Sequence, residues 1–292
     1  MKVSNVLEHT ALLGEGPIWD HRSGTIIWVD ILRSQVMQFN PETKAFQISN
    51  VGKNISALAI RKDGGFVAAA RNGFGWLDLK KPSFTYVSQP EIELQNNRFN
   101  DGKCDPRGRF WAGSMDCKDG KTLCGSLYSI DSKLSPLIKI EHVGCSNGLA
   151  WSPDCAIFYY IDTPTRQVVA YDYNITDSSI SNKRTVIVIP DEEGLPDGMT
   201  IDTDGMLWIA CWNGWSVSKW DPYTGNFLSS IRLPVSQVSS CTFGGPNLRD
   251  LYISSARVGL NRLELRQQPL AGSLFVVKDC DAKGIQAFEF NG

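Results

Sequence analysis

The chain has 292 residues, room for one large all-β domain or two of ordinary size, and at that length a folded core needs no disulfide or metal staple. A net charge of −2 with interspersed signs leaves no electrostatic footprint for nucleic acid or an anionic membrane, and 21% charged against 42% hydrophobic residues is ordinary globular composition. No apolar run approaches a bilayer span, and Met1 to Thr10, with Glu8 and His9, lacks the apolar stretch of a signal peptide, so a cytoplasmic monomer without nucleic-acid or membrane partners is expected.

Strand signals run along the chain, and no long segment has a helical apolar period. One unit recurs: a small residue, a short apolar strand, a polar turn with Asp or Gly, then a second apolar strand rich in aromatics. Its instances pair residues 16–20 (GPIWD) with 26–30 (IIWVD), 56–60 (SALAI) with 66–69 (FVAA), and 102–105 (GKCD) with 110–113 (FWAG). Then follow 148–151 (GLAW) with 158–162 (FYYID), 198–202 (GMTID) with 207–210 (LWIA), and 240–243 (SCTF) with 251–254 (LYIS). A third strand succeeds each pair, as at 126–130 and 168–171, and a more polar fourth is visible at 185–188.

The units begin at intervals of 40, 46, 46, 50 and 42 residues. An all-strand repeat of roughly 40–50 residues is the mark of a propeller. One blade cannot bury both its faces, so blades stack radially and cover each other. The second strands are apolar on both faces, as a sandwiched blade requires. The fold class is therefore all-β: a six-bladed β-propeller with four-stranded antiparallel blades, one domain over residues 1–292. An open solenoid is the competing architecture, but its units are shorter. Closing the ring needs a strand from one terminus, and either Met1 to Leu7 or Gln286 to Phe290 would serve.

The residues just before the first strands are Glu15, Ile55, Asp101, Asn147, Asp197 and Ser239. In a propeller the first strands line the central axis, so these repeat-equivalent positions share one ring. Three carboxylates and an amide gathered there repel one another without a cation. An all-oxygen set suits one hard divalent metal ion, Ca²⁺ foremost, with Mg²⁺ or Mn²⁺ also suitable; Zn²⁺ more often brings His or Cys. Each Asp-Gly or Asn-Gly pair is, alone, an ordinary turn signal. Their common repeat position, and the presence of Glu15 among them, favour a ligand ring.

Four spaced motifs carry a family resemblance: residues 14–17 (GEGP), 97–103 (NRFNDGK), 146–151 (SNGLAW) and 196–199 (PDGM), with 243–247 (FGGPN) and 283–285 (KGI) also similar. From about Leu13 onward the chain resembles the SMP-30/gluconolactonase/luciferin-regenerating-enzyme family, which includes regucalcin. The resemblance implies a metal-dependent propeller that opens sugar lactones, with a small-molecule sugar lactone as its partner. It implies Glu15, Asn147 and Asp197 as metal ligands, Asp197 also as general base, and Arg98 and Asn100 as substrate contacts. Asp101 falls behind the ligands, where it would hold Asn100 and neighbouring backbone. One departure is the stretch from Asp116 to Cys124, shorter than in regucalcin-like animal members and without their Glu; only Asp116 or Asp119 could stand in. A shorter lid implies a wider, less selective mouth.

The expected chemistry is hydrolysis of an aldonolactone, with the metal polarising the carbonyl and activating its water. Asp197 would take the proton, and the forked Arg98 would bind hydroxyls or the carbonyl oxygen. A structural bond to a neighbouring loop is the alternative for Arg98. A non-enzymatic calcium-binding regulator and a same-fold hydrolase of organophosphates or other esters are the rival functions. A scaffold of the WD type fits poorly, because no blade ends in that dipeptide. His9, His21 and His142 do not cluster, which argues against a Ser-His-Asp triad. Asp202 to Gly205 begins like a calcium loop but lacks its closing Glu, and is expected to be a turn. The eight cysteines form no C-x-x-C pair and are expected as free thiols; Cys117 and Cys124 flank one short loop and could approach each other.

Overall fold

The computed structural model describes residues 2–292. Its strands form six antiparallel four-stranded sheets, and in five of them the strands follow in chain order from the axis outward. The inner strands are Gly14–Asp20, Ala57–Ile60, Asn97–Cys104, Ser146–Trp151, Leu195–Ile201 and Val238–Gly244. Each packs on the next, and the last packs on the first, so the ring is closed.

Period-two alternation in the second strands explains why the blades stack. In Leu207–Trp212, Leu207 and Ile209 pack toward the fourth blade with Ile161 and Met199, while Trp208 and Ala210 join Phe243 and Ile253 of the sixth. Every pair of neighbouring blades shares one such apolar cluster. Fourth strands such as Phe46–Asn50 and Asn226–Arg232 are largely exposed and mix polar with apolar side chains, as the outer rim of a propeller that faces solvent.

The sixth blade settles how the ring closes. Its order is Val238–Gly244, Asp250–Ser255, Phe275–Val277 and then the amino-terminal Val3–Asn5, with Val3 opposite Val277 and Asn5 opposite Phe275. Met1 lies outside the described residues. Gln286 to Phe290 does another job. It runs under the axial channel, where Ile285 to Phe288 line a second cavity with Leu58, Lys103 and Thr200, and Phe290 bonds to Ile60 and Lys62 through its backbone. Among the described residues no helix is long and apolar enough to cross a membrane. Cys104, Cys211, Cys241 and Cys280 are buried in the blades, whereas Cys117 and Cys124 are exposed free thiols.

Candidate metal and substrate site at the axial mouth

Five of the six predicted ring residues sit inside the inner strands, not before them; Ile55 alone precedes its strand, Ala57–Ile60. Strand pairing slips between Glu15 and Ile18, Phe99 and Gly102, Asn147 and Leu149, Pro196 and Met199, and Val238 and Ser240. Each slip is a bulge, and a bulge re-aims a side chain that would otherwise face a neighbouring blade. Glu15, Asn100, Asp101, Asn147, Asp197 and Ser239 all stand at these slips. Gly16 takes a φ of +51° there, a left-handed backbone that suits glycine. The second blade, with Ile55 at the equivalent place, has a regular inner strand.

Glu15, Arg98, Asn100, Asn147 and Asp197 together line one open cavity of about 860 Å³ at the mouth. Asn100 donates from Nδ2 to Asn147 Oδ1 at 3.0 Å and to the Ser146 carbonyl at 2.9 Å. Arg98 Nη1 donates to Asn100 Oδ1 at 2.6 Å and to the Phe99 carbonyl at 3.0 Å. The Asn147 amide donates to Thr163 Oγ1 at 2.7 Å, and that hydroxyl donates to the Pro196 carbonyl at 2.8 Å. Thr163 therefore fixes which way Asn147 turns its oxygen and ties it to the strand bearing Asp197.

Charge is held at a cost in this ring. Burial and the Asp101 charge raise Glu15 to about 8, against the opposing pull of the Gly16 N–H and Arg98. Asp197 lies well above the usual carboxylate range, first through burial and then through Glu15 and Asp101. Its Oδ1 is buried and has no hydrogen-bond partner among the described residues. A buried oxygen without a donor, beside a second buried carboxyl and an oriented amide, is what a hard cation would satisfy. No group of three or more His, Cys, Asp or Glu among the described residues could hold a metal by itself. A site here would therefore need neutral oxygens beside the carboxylates, and Asn147 Oδ1 is placed among them.

Asp101 is absent from the cavity lining. Its Oδ1 accepts from the Gly102 N–H at 2.7 Å; burial raises its carboxyl above the usual range, and the half-buried Lys103, whose ammonium donates to the Met199 carbonyl at 2.8 Å, opposes that rise. It grips neighbouring backbone as expected but does not hold Asn100, which Ser146, Asn147 and Arg98 hold instead. In the short lid, Asp119 lines the mouth but spends its carboxylate on Lys121 and Thr122, while Asp116 is buried away from it. None of the three histidines lines the cavity. Asp202 forms a turn bracket, accepting from Asp204 N, Met206 N and Trp208 Nε1. The sequence did not single out Thr163, Lys121 or the apolar Leu195, Trp212 and Val258, all of which border the mouth.

A six-bladed propeller with an acidic, amide-bearing axial site beneath an open mouth defines the class. The family model described as the SMP-30/gluconolactonase/LRE-like region matches residues 13–257. Regucalcin of Danio rerio is 40% identical over 294 residues, covering 100% of this chain and 99% of the relative. Among solved structures, a luciferin-regenerating enzyme superposes with a TM-score of 0.93 at 31% identity, covering 100% and 99% of the two chains. A calcium-binding protein, regucalcin, from Agrobacterium tumefaciens gives 0.93 at 26% identity, covering 99% and 97%. The chain belongs to the SMP-30/gluconolactonase/LRE-like family.

Proposed function

We propose that this chain is a metal-dependent lactonase that hydrolyses an aldonolactone, with one divalent cation, calcium foremost, held by Glu15, Asn147 and Asp197. The partnerless, buried Asp197 Oδ1 beside Glu15 and the oriented Asn147 amide is the observation that carries this reading. When bound, the ion would supply Lewis-acid polarisation of the lactone carbonyl and a water of lowered pKa. Asp197 accepts the proton of the attacking water, a task for which a weak base suffices because a lactone has a good leaving group. Arg98 has Nε and Nη2 free of protein bonds, so it can bind the carbonyl oxygen or a ring hydroxyl. Asn100, locked by Arg98, Ser146 and Asn147, keeps those groups in register and orients the sugar.

A second reading is favoured by the names of the relatives, regucalcin and a calcium-binding protein: the same residues bind calcium without catalysis. One assay separates the two. Proton release is followed from glucono-, galactono- and xylonolactone with Ca²⁺, Mn²⁺, Zn²⁺ or chelator, for the wild type and Asp197→Ala. Cation-dependent hydrolysis abolished by Asp197→Ala supports the lactonase. Tight cation binding without turnover of any lactone leaves the regulator. Hydrolysis that survives both chelation and the substitution contradicts the mechanism.

A further inference from the structure

The mouth carries more positive charge than the reaction uses. Arg71, Arg98, Lys121 and Arg166 line the cavity, together with the carboxylates of Glu15, Asp119 and Asp197. Arg166 is spent on the protein itself: it pairs with Asp191 at 3.0 Å and donates to the Pro190 and Gly194 carbonyls at 2.6 and 2.7 Å. The other three cations form one arc around Arg98. The Phe99 N–H donates to the Arg71 carbonyl at 3.3 Å, which sets Arg71 beside the strand bearing Arg98. Met115 is the cross-strand partner of Arg98, and the lid that carries Lys121 folds back onto it; a Cβ on Gly120 would stand 3.1 Å from Met115 Cε.

These cations keep donors to spare. Arg71 gives Nη2 to the Gln95 carbonyl at 2.8 Å and leaves Nε and Nη1 unbonded among the described residues. The Lys121 ammonium has no hydrogen bond or ion pair among the described residues, and both side chains are exposed. Arg98 spends only Nη1. On the negative side, Glu15 and Asp197 are the proposed ligands of a divalent ion, whose charge offsets theirs. Asp119 alone then stands against three cations, and its oxygens are taken by the Lys121 and Thr122 N–H groups and the Thr122 hydroxyl. Two positive charges remain unmatched. A neutral sugar lactone has nothing to pair with them. A phosphate monoester has about two negative charges at neutral pH and three strong acceptor oxygens, and Arg and Lys are the side chains that bind it.

We propose that Arg71 and Lys121 form an anion subsite, and that the mouth takes an aldonolactone bearing a phosphate. The subsite rests on the lactonase reading for the bond that is broken, and adds to it the class of substrate. A cavity of about 860 Å³ has room for a sugar ring and a phosphate together. With the lactone carbonyl over Glu15 and Asp197, the phosphate on the exocyclic carbon lies toward the lid and the second blade. Water adds to the acyl carbon and the bond from that carbon to the ring oxygen breaks. One water proton ends on the departing alkoxide, the other is released with the new carboxylate, and the phosphate ester is untouched.

Two acids that cannot be hydrolysed further test the subsite: gluconate, and 6-phosphogluconate, which differs from it only by the phosphate. Calorimetry on chelated protein at neutral pH should find that 6-phosphogluconate binds at least tenfold more tightly, by an amount that shrinks as salt is raised. Lys121→Glu and Arg71→Gln change exposed side chains, so folding is kept. Each should weaken 6-phosphogluconate about tenfold, the usual effect of losing one charged hydrogen-bond partner, and alter gluconate less than twofold. Equal affinity for the two acids overturns the subsite, and so does a preference for 6-phosphogluconate that both variants retain. Turnover is read separately with gluconolactone and its 6-phosphate. The phosphorylated lactone should have the lower KM, and Lys121→Glu should remove that advantage. If both lactones are hydrolysed with the same KM, the subsite falls and the lactonase reading stands. If 6-phosphogluconate binds as expected while neither lactone is hydrolysed with any cation, the subsite stands as an anion site and the lactonase reading falls.

Discussion

Glu15 and Asp197 set the acid–base behaviour of the cation-free protein. Glu15 is raised from an ordinary value of 4.5 to about 8, so the native state holds its proton more tightly than the unfolded chain does. The stability this contributes is complete below the unfolded value and is lost as pH rises through about 8. A cation reverses the trend, because it binds the carboxylates and displaces their protons. Calorimetry should therefore find that the Tm of chelated protein falls from pH 5 to 8, while the upward shift produced by calcium grows over the same interval. Glu15→Gln should flatten the first trend and abolish the calcium shift; a mutant that keeps that shift would remove Glu15 from the ligand set. Thr163 makes a different prediction. Thr163→Val keeps the side chain's shape but deprives Asn147 Nδ2 of its oxygen acceptor, leaving only the weak Cys145 Sγ contact at 3.6 Å, and the Pro196 carbonyl of its hydroxyl donor. Loss of such a ligand-orienting bond weakens cation binding about tenfold or more, and Thr163→Ser should restore it in a calorimetric titration. The ring that carries the three proposed ligands was legible in the sequence because the repeat makes its positions equivalent; which of its members would bind came from the family resemblance. Thr163 was not, since it follows a second strand in one blade only and no other unit echoes it.

Within a blade, two features position these residues. The first is the bulge. In three blades the sequence marks it with Asp-Gly or Asn-Gly pairs, which signal a turn equally well, so the ring residues read as strand entrances when all but Ile55 lie within strands. The glycine after each acid also has a packing role: a Cβ on Gly198 would fall 2.1 Å from Ser240 Oγ on the next inner strand. Close approach of inner strands is what narrows the ring enough to gather side chains from different blades. The second is the aspartate bracket beyond the inner strand. Asp202 accepts from two turn N–H groups, from Trp208 Nε1 at 2.9 Å and from Lys219 at 3.3 Å, and Asp105 binds Trp111, Arg109 and Tyr173 in the same manner. The sequence marks Asp202 as a turn former, which it is, but does not show that it also bonds the tryptophan of the following strand. Asp202→Ala leaves a buried indole N–H and an ammonium without their acceptor and should cost about 3–5 kcal/mol in urea unfolding. Asp154→Ala, in the exposed turn of the fourth blade, should cost no more than about 1 kcal/mol. Equal losses would mean that the bracket is only a turn.

For the whole ring, the six-blade count was legible from the repeat interval, but the closure was not. Both terminal segments are short and partly apolar, and pairing with an existing edge depends on register, which composition does not specify. The amino-terminal strand pairs with the edge of Phe275–Val277 and gives the last blade its fourth, outermost strand. The carboxyl-terminal segment then ties blades across the face opposite the mouth. Its Gly284 bridges to Asp202 of the fifth blade, Glu289 pairs with Arg22 of the first, Phe290 bonds to the second and the Asn291 N–H to Gly108 of the third. Phe290 is fully buried against Ala59, Phe110 and Ile130. Truncation after Lys283 removes that phenyl ring and opens the axial cavity, a loss of about 3–5 kcal/mol by analogy with large-to-small core changes. At a few degrees per kcal/mol, the Tm should fall by roughly 10 °C. Glu15, Asn147 and Asp197 lie at the other end of the channel on strands that keep their own blade pairing, so the truncated protein should still gain stability on adding calcium. A truncated chain that unfolds early yet keeps its full calcium shift would separate the strap, which holds the ring together, from the mouth, which holds the ion. Loss of the shift along with the tail would instead mean that the inner strands reach their functional spacing only when the far side of the channel is tied.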